Sequence, residues 1–66
     1  MMRPGDLVRF RQSDGLRSND TARPLRIVFK GEIGYVESMA TGKPAALVRM
    51  GNEDLVFAPF ELLELV

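Results

Sequence analysis

The sequence predicts an all-β protein: five short strands rolled into a small closed barrel, with a long first loop and one short helical turn before the last strand. Three observations predict it. No stretch of the 66 residues carries an amphipathic helical period of useful length. Short runs rich in β-branched and aromatic residues are instead bounded by Gly, Pro, Asn and Asp. A chain of this size is also near the lower limit for folding on an apolar core alone, and it has no cysteine to staple it. Closing the sheet removes edges that would otherwise invite aggregation.

Each element follows in order. Residues 5–11, GDLVRFR, alternate with Val8 and Phe10 on one face and Leu7, Arg9 and Arg11 on the other, after a Pro-Gly turn. Residues 12–26 lack a usable period and concentrate Ser, Asp, Gly, Asn and Pro, which reads as one long loop with turns at Asp14-Gly15 and Asn19-Asp20. The run 25–39, LRIVFKGEIGYVESM, is strand-forming and interrupted only by Gly31 and Gly34. ATGKP is a turn. AALVRM and DLVFAP flank Gly51-Asn52 as an antiparallel hairpin, which Pro59 ends because it cannot donate to a ladder. FELL suits one helical turn, and the chain finishes on a short strand. The whole of 1–66 is one domain.

Gly31 and Gly34 are read as structural. Phe29 and Val36 are an odd number of residues apart, so an unbroken strand cannot bury both. A bulge at either glycine would shift the register and bend the strand, and glycine also admits a close neighbour. A phosphate cradle is the functional alternative, but it needs a helix after the glycines, and none is predicted. The expected core is Val8, Phe10, Val28, Val36, Val48, Phe57 and Leu63.

With these residues in view, GDLVRF, FKGEIGYVESM and ALVRM together resemble the KOW motif, a strand–loop–strand with glycines spaced G-x-x-G-x-V, found in ribosomal proteins and transcription elongation factors. GDLVRF and FAPFELLEL resemble the first strand and the terminal turn-plus-strand of SH3-like barrels. The chain is also similar to the small barrels that accompany photosynthetic electron-transfer complexes, to the related nitrile hydratase β-chain domain and to short bacteriophage-encoded proteins. Its ending resembles that of the plasmid-type dihydrofolate reductases. Their V-Q-I-Y cofactor segment would fall on Leu55-Val56-Phe57-Ala58, which has neither the glutamine nor the tyrosine. These resemblances imply an SH3-like plan more than an activity.

Composition argues against catalysis. There is no histidine and no cysteine, so no neutral-pH base and no thiolate ligand is available. Ser13, Ser18, Thr21, Ser38 and Thr41 fall mostly in loops, and no spacing couples one of them to Lys30 or Lys43. Glu53-Asp54 and Glu61 with Glu64 could bind a divalent ion through oxygen, but they read more simply as a solvated turn and a polar barrel end. The expectation is a protein that is not an enzyme and uses no cofactor, no metal and no membrane. With no signal peptide and no membrane-length apolar run, it is expected in the cytoplasm.

Binding remains, in two forms. Strand faces opposite the expected core still carry Leu7, Ile33, Tyr35, Met39, Leu47 and Val56, a surplus apolar stripe that predicts contact with a protein partner or a homo-oligomer. The alternative is nucleic acid. Charge is zero overall but uneven: residues 1–30 hold seven cations against three carboxylates, +4, and residues 31–66 hold two against six, −4. Arg9, Arg11, Arg17, Arg23, Arg26 and Lys30 would meet phosphates, with Phe29 or Tyr35 to stack on bases.

Overall fold

The computed structural model describes residues 2–66. Strand β1 (Leu7–Phe10) lies between β4 (Ile33–Met39) and β7 (Leu63–Leu65), antiparallel to both. From β4 the sheet continues through β5 (Ala45–Arg49) to β6 (Leu55–Pro59), giving the order β6-β5-β4-β1-β7. A single 3₁₀ turn, Phe60–Leu62, separates β6 from β7. The all-β expectation and the turn before the last strand are therefore seen.

Two features differ from expectation. The segment 12–26 is not one long loop. It contains β2 (Asp14–Arg17) and opens β3 (Leu25–Val28), which pair as an antiparallel hairpin. Loop-forming residues hide a strand here because Leu16 is buried at 7% exposure while its neighbours are Gly and Arg. The strands also do not close into a barrel. The β2–β3 hairpin is a separate two-stranded sheet, joined to β6 through the Ser18–Val56 bridge and through Asn19, whose N–H donates to Leu55 O at 3.1 Å and whose Oδ1 accepts from Leu55 N–H at 3.2 Å.

The break between β3 and β4 falls at Gly31. Its φ of 89° suits a tight turn in which Glu32 N–H donates to Phe29 O at 2.9 Å and Gly31 N–H to Phe10 O at 2.8 Å. The expected register shift is present, but at neither glycine: it lies between Val36 and Ser38, leaving Glu37 unpaired. Gly34 serves packing instead. A Cβ there would lie 2.7 Å from both Arg49 O and Val48 Cγ1, so glycine lets β5 and its core side chain approach β4.

The core gathers Val8, Phe10, Leu16, Val28, Val36, Ala46, Val48, Met50, Val56, Ala58, Leu62 and Leu63. Of the residues expected inside, only Phe57 is displaced, to a half-buried position, and Val56 takes its place at 0% exposure. The β5–β6 register decides this. Val48 faces Val56 and Ala46 faces Ala58, and cross-strand partners share a face.

Candidate functional site

The bulge at Glu37 sorts the residues expected to make protein contacts. Before it, odd positions of β4 point outward, so Ile33 and Tyr35 lie on the outer face. Tyr35 sits opposite Leu7, and Ile33 opposite Arg9. Leu7, Ile33 and Tyr35 are 54%, 47% and 40% exposed. Val66, whose N–H donates to Leu7 O, extends this row. The structure thus brings three of the six together.

The other three go elsewhere. Past the bulge the parity inverts: Met39 pairs with buried Ala46 and turns to the opposite side of the sheet. There it lines an open, mainly apolar groove of about 760 Å³ with Met2, Arg11, Phe60, Leu63 and Leu65. Leu47 is half-buried in a shallow cleft with Leu55 and Phe57, overlaid by Arg17, Ser18 and Asn19. Val56 is in the core and cannot be a contact residue.

Charged pairs border the outer row. Arg9 Nε donates to Glu64 Oε1 at 2.9 Å, and Arg49 Nε to Glu37 Oε1 at 2.9 Å. The Arg9 guanidinium holds the Glu64 carboxyl below the usual range, and Arg49 does the same for Glu37. Hydrogen bonding to Glu37 in turn raises the Arg49 guanidinium.

The cations divide as well. Arg9 is neutralised by Glu64, and Arg26 by Glu32 at 3.1 Å and Asp54 at 3.7 Å, so neither is a free phosphate-binding group. Arg11 Nε donates to Leu63 O. Arg17, Arg23 and Lys30 are exposed and make no ion pair among the described residues. Of the carboxylates that could act as oxygen ligands, Glu64 pairs with Arg9 at 2.9 Å, Asp54 with Arg26 at 3.7 Å and exposed Glu53 only loosely with Arg49 at 3.7 Å. Among the described residues no group of three or more Asp or Glu is placed to hold a metal ion.

A second exposed apolar set was missed by the sequence reading. Leu25, Ile27 and Phe29, at 65%, 51% and 63% exposure, stand along β3 and just beyond it. The Leu25 and Ile27 side chains lie over Gly15, where a Cβ would meet Ile27 Cδ1 at 3.5 Å and Leu25 Cδ1 at 3.6 Å. Their alternation with Arg26 and Val28 was the available signal. It was obscured because the whole run 25–39 reads as a single strand. No protein-family model matches the chain, and neither a curated protein nor a solved structure matches it.

Proposed function

We propose that this protein is a non-catalytic accessory module of SH3-like plan that acts through protein contact on the outer face of its five-stranded sheet. The carrying observation is the outward row Leu7, Ile33 and Tyr35 between the Arg9–Glu64 and Arg49–Glu37 pairs. The SH3-like plan is supported by the strand order β6-β5-β4-β1-β7, the single helical turn before the last strand and the hairpin leaning on β6. A standard interface covers about 800 Å² per partner. Against a total surface of 4342 Å², that is roughly a fifth of the molecule, so the row is the centre of a contact that takes in the charged rim.

Site-specific photocrosslinking tests this. A benzophenone side chain at position 35 should give an adduct in the cells of origin, with its mass distinguishing a second copy from another protein. The same group at exposed Glu61 should not give that adduct. Absence of any adduct from position 35, with a strict monomer by light scattering, would overturn the reading.

A KOW-type nucleic-acid module is the second reading, favoured by exposed Phe29 beside Lys30, with Arg17 and Arg23, which make no ion pair among the described residues, on the same hairpin. It predicts low-salt binding of labelled single- or double-stranded oligonucleotides that falls when Arg17, Arg23 and Lys30 are replaced by Ala. An unchanged affinity would end it.

A further inference from the structure

We propose that the free edge of β3 takes up an extended acidic segment of a partner protein as an added strand, with alternating apolar side chains of that segment lying beside Leu25 and Ile27. This rests on the reading of the protein as a contact module but uses a different face.

The ladder geometry locates the free groups. Ser18 N–H donates to Pro24 O at 2.8 Å, which makes 18/24 a hydrogen-bonded pair. Antiparallel pairs alternate, so 16/26 and 14/28 are bonded and 17/25 and 15/27 are not. The backbone N–H and C=O of Leu25 and Ile27 therefore point away from β2, toward the open edge. The side chains beside them are among the most exposed large apolar groups in the molecule.

The far edge of the main sheet is treated differently. On β7 the outward-pointing Leu63 N–H donates to Phe60 O, and Leu63 C=O accepts from the Arg11 guanidinium. At Leu63 that edge is capped by its own chain, a common device of natural sheets. Along β3, Arg26 is drawn to the other face by Glu32 and Asp54, so the strand Leu25–Val28 itself presents no charged side chain beside Leu25 and Ile27.

Charge selects the occupant. Arg17 lies opposite Leu25, Arg23 in the turn before β3 and Lys30 just after it, all exposed and unpaired among the described residues. The nearby carboxylates of Asp14 and Asp20 accept from neighbouring backbone, from Gly15 N–H at 2.8 Å and Ala22 N–H at 2.9 Å. Antiparallel pairing with a second copy would bring the Arg23 end of one strand toward the Lys30 end of the other, like against like. An acidic strand meets all three cations, and backbone pairing with side-chain alternation is the usual chemistry of strand addition.

The probe is a blocked heptapeptide, Glu-Val-Glu-Val-Glu-Val-Glu, titrated into ¹⁵N-labelled protein, with a Lys-for-Glu version as control. At about 90% occupancy the Leu25 and Ile27 amides should exchange roughly tenfold more slowly, and the lysine peptide should leave them unchanged. Ile27→Pro removes an edge donor without touching the β2–β3 ladder and should abolish the response. If that variant does not fold, the Arg17→Glu/Arg23→Glu/Lys30→Glu protein should reverse the preference to the lysine peptide. Equal response to both peptides, no protection of Leu25 and Ile27, or protection that grows with protein concentration alone would overturn the proposal. Ile33→Glu, which tests the outer row, should leave the peptide response intact.

Discussion

Glu53 and Gly34 show how single positions are set by backbone geometry. Glu53 has a φ of 74° in the β5–β6 turn, where its N–H donates to Met50 O at 2.9 Å. A left-handed conformation costs a residue with a Cβ about 1–2 kcal/mol, and glycine escapes that cost. The glutamate side chain is 81% exposed and its contact with Arg49 is long, at 3.7 Å, so little is lost on removing it. Glu53→Gly should stabilise the protein by about 1 kcal/mol in urea unfolding. Gly34 is the reverse case. A Cβ there meets the Arg49 carbonyl, which is backbone and cannot rotate away. Gly34→Ala should cost about 1–3 kcal/mol by the same measurement, as overpacking does. The sequence marked Gly34 as structural, but a single strand read alone does not reveal what the glycine accommodates.

Strand pairs carry the next level of argument. The β1–β7 pair is clasped on the outer face by Arg9 and Glu64, directly opposite each other. Because Arg9 lowers the Glu64 carboxyl relative to the unfolded chain, the pair favours the fold above the ordinary glutamate range. That contribution is lost as pH falls through the lowered folded value. The melting temperature of Glu64→Gln should therefore lie slightly below wild type at neutral pH, and the gap should close in acid. Both side chains are well exposed, so added salt should narrow it too. The hairpin β2–β3 was the element least legible in advance. Asp14, Gly15 and Arg17 have poor strand propensity, and only pairing with β3 and burial of Leu16 hold them extended. Beside the Ser18–Val56 bridge, Arg26 ties the hairpin to the rest, with Glu32 and Asp54 as partners and Nη1 without one among the described residues.

At the scale of the whole molecule, one small core supports every surface feature. A 66-residue domain has a net stability of about 3–10 kcal/mol. Phe10, among the largest fully buried side chains, contacts the core from β1, and Phe10→Ala should cost about 3–5 kcal/mol. Circular dichroism melting should show that variant largely unfolded, or with a sharply lowered transition. Ile33→Glu, on the outer face, should leave the transition nearly unchanged.

The all-β class, the β5–β6 hairpin, the turn before the last strand and most of the core are legible in the run of residues alone, because alternation, Gly and Pro act locally. The sequence also marked Leu7, Ile33 and Tyr35 as a surplus apolar set. Which of the surplus residues share a surface depends on how the strands pair. The bulge at Glu37 turned Met39 away from that row, and the β5–β6 register drew Val56 inward in place of Phe57. The β2–β3 register left Leu25 and Ile27 with a free edge. Strand parity has a period of two, so a shift of one residue moves every following side chain to the other face. Where that shift falls depends on the neighbouring strand, which a single run of residues does not contain.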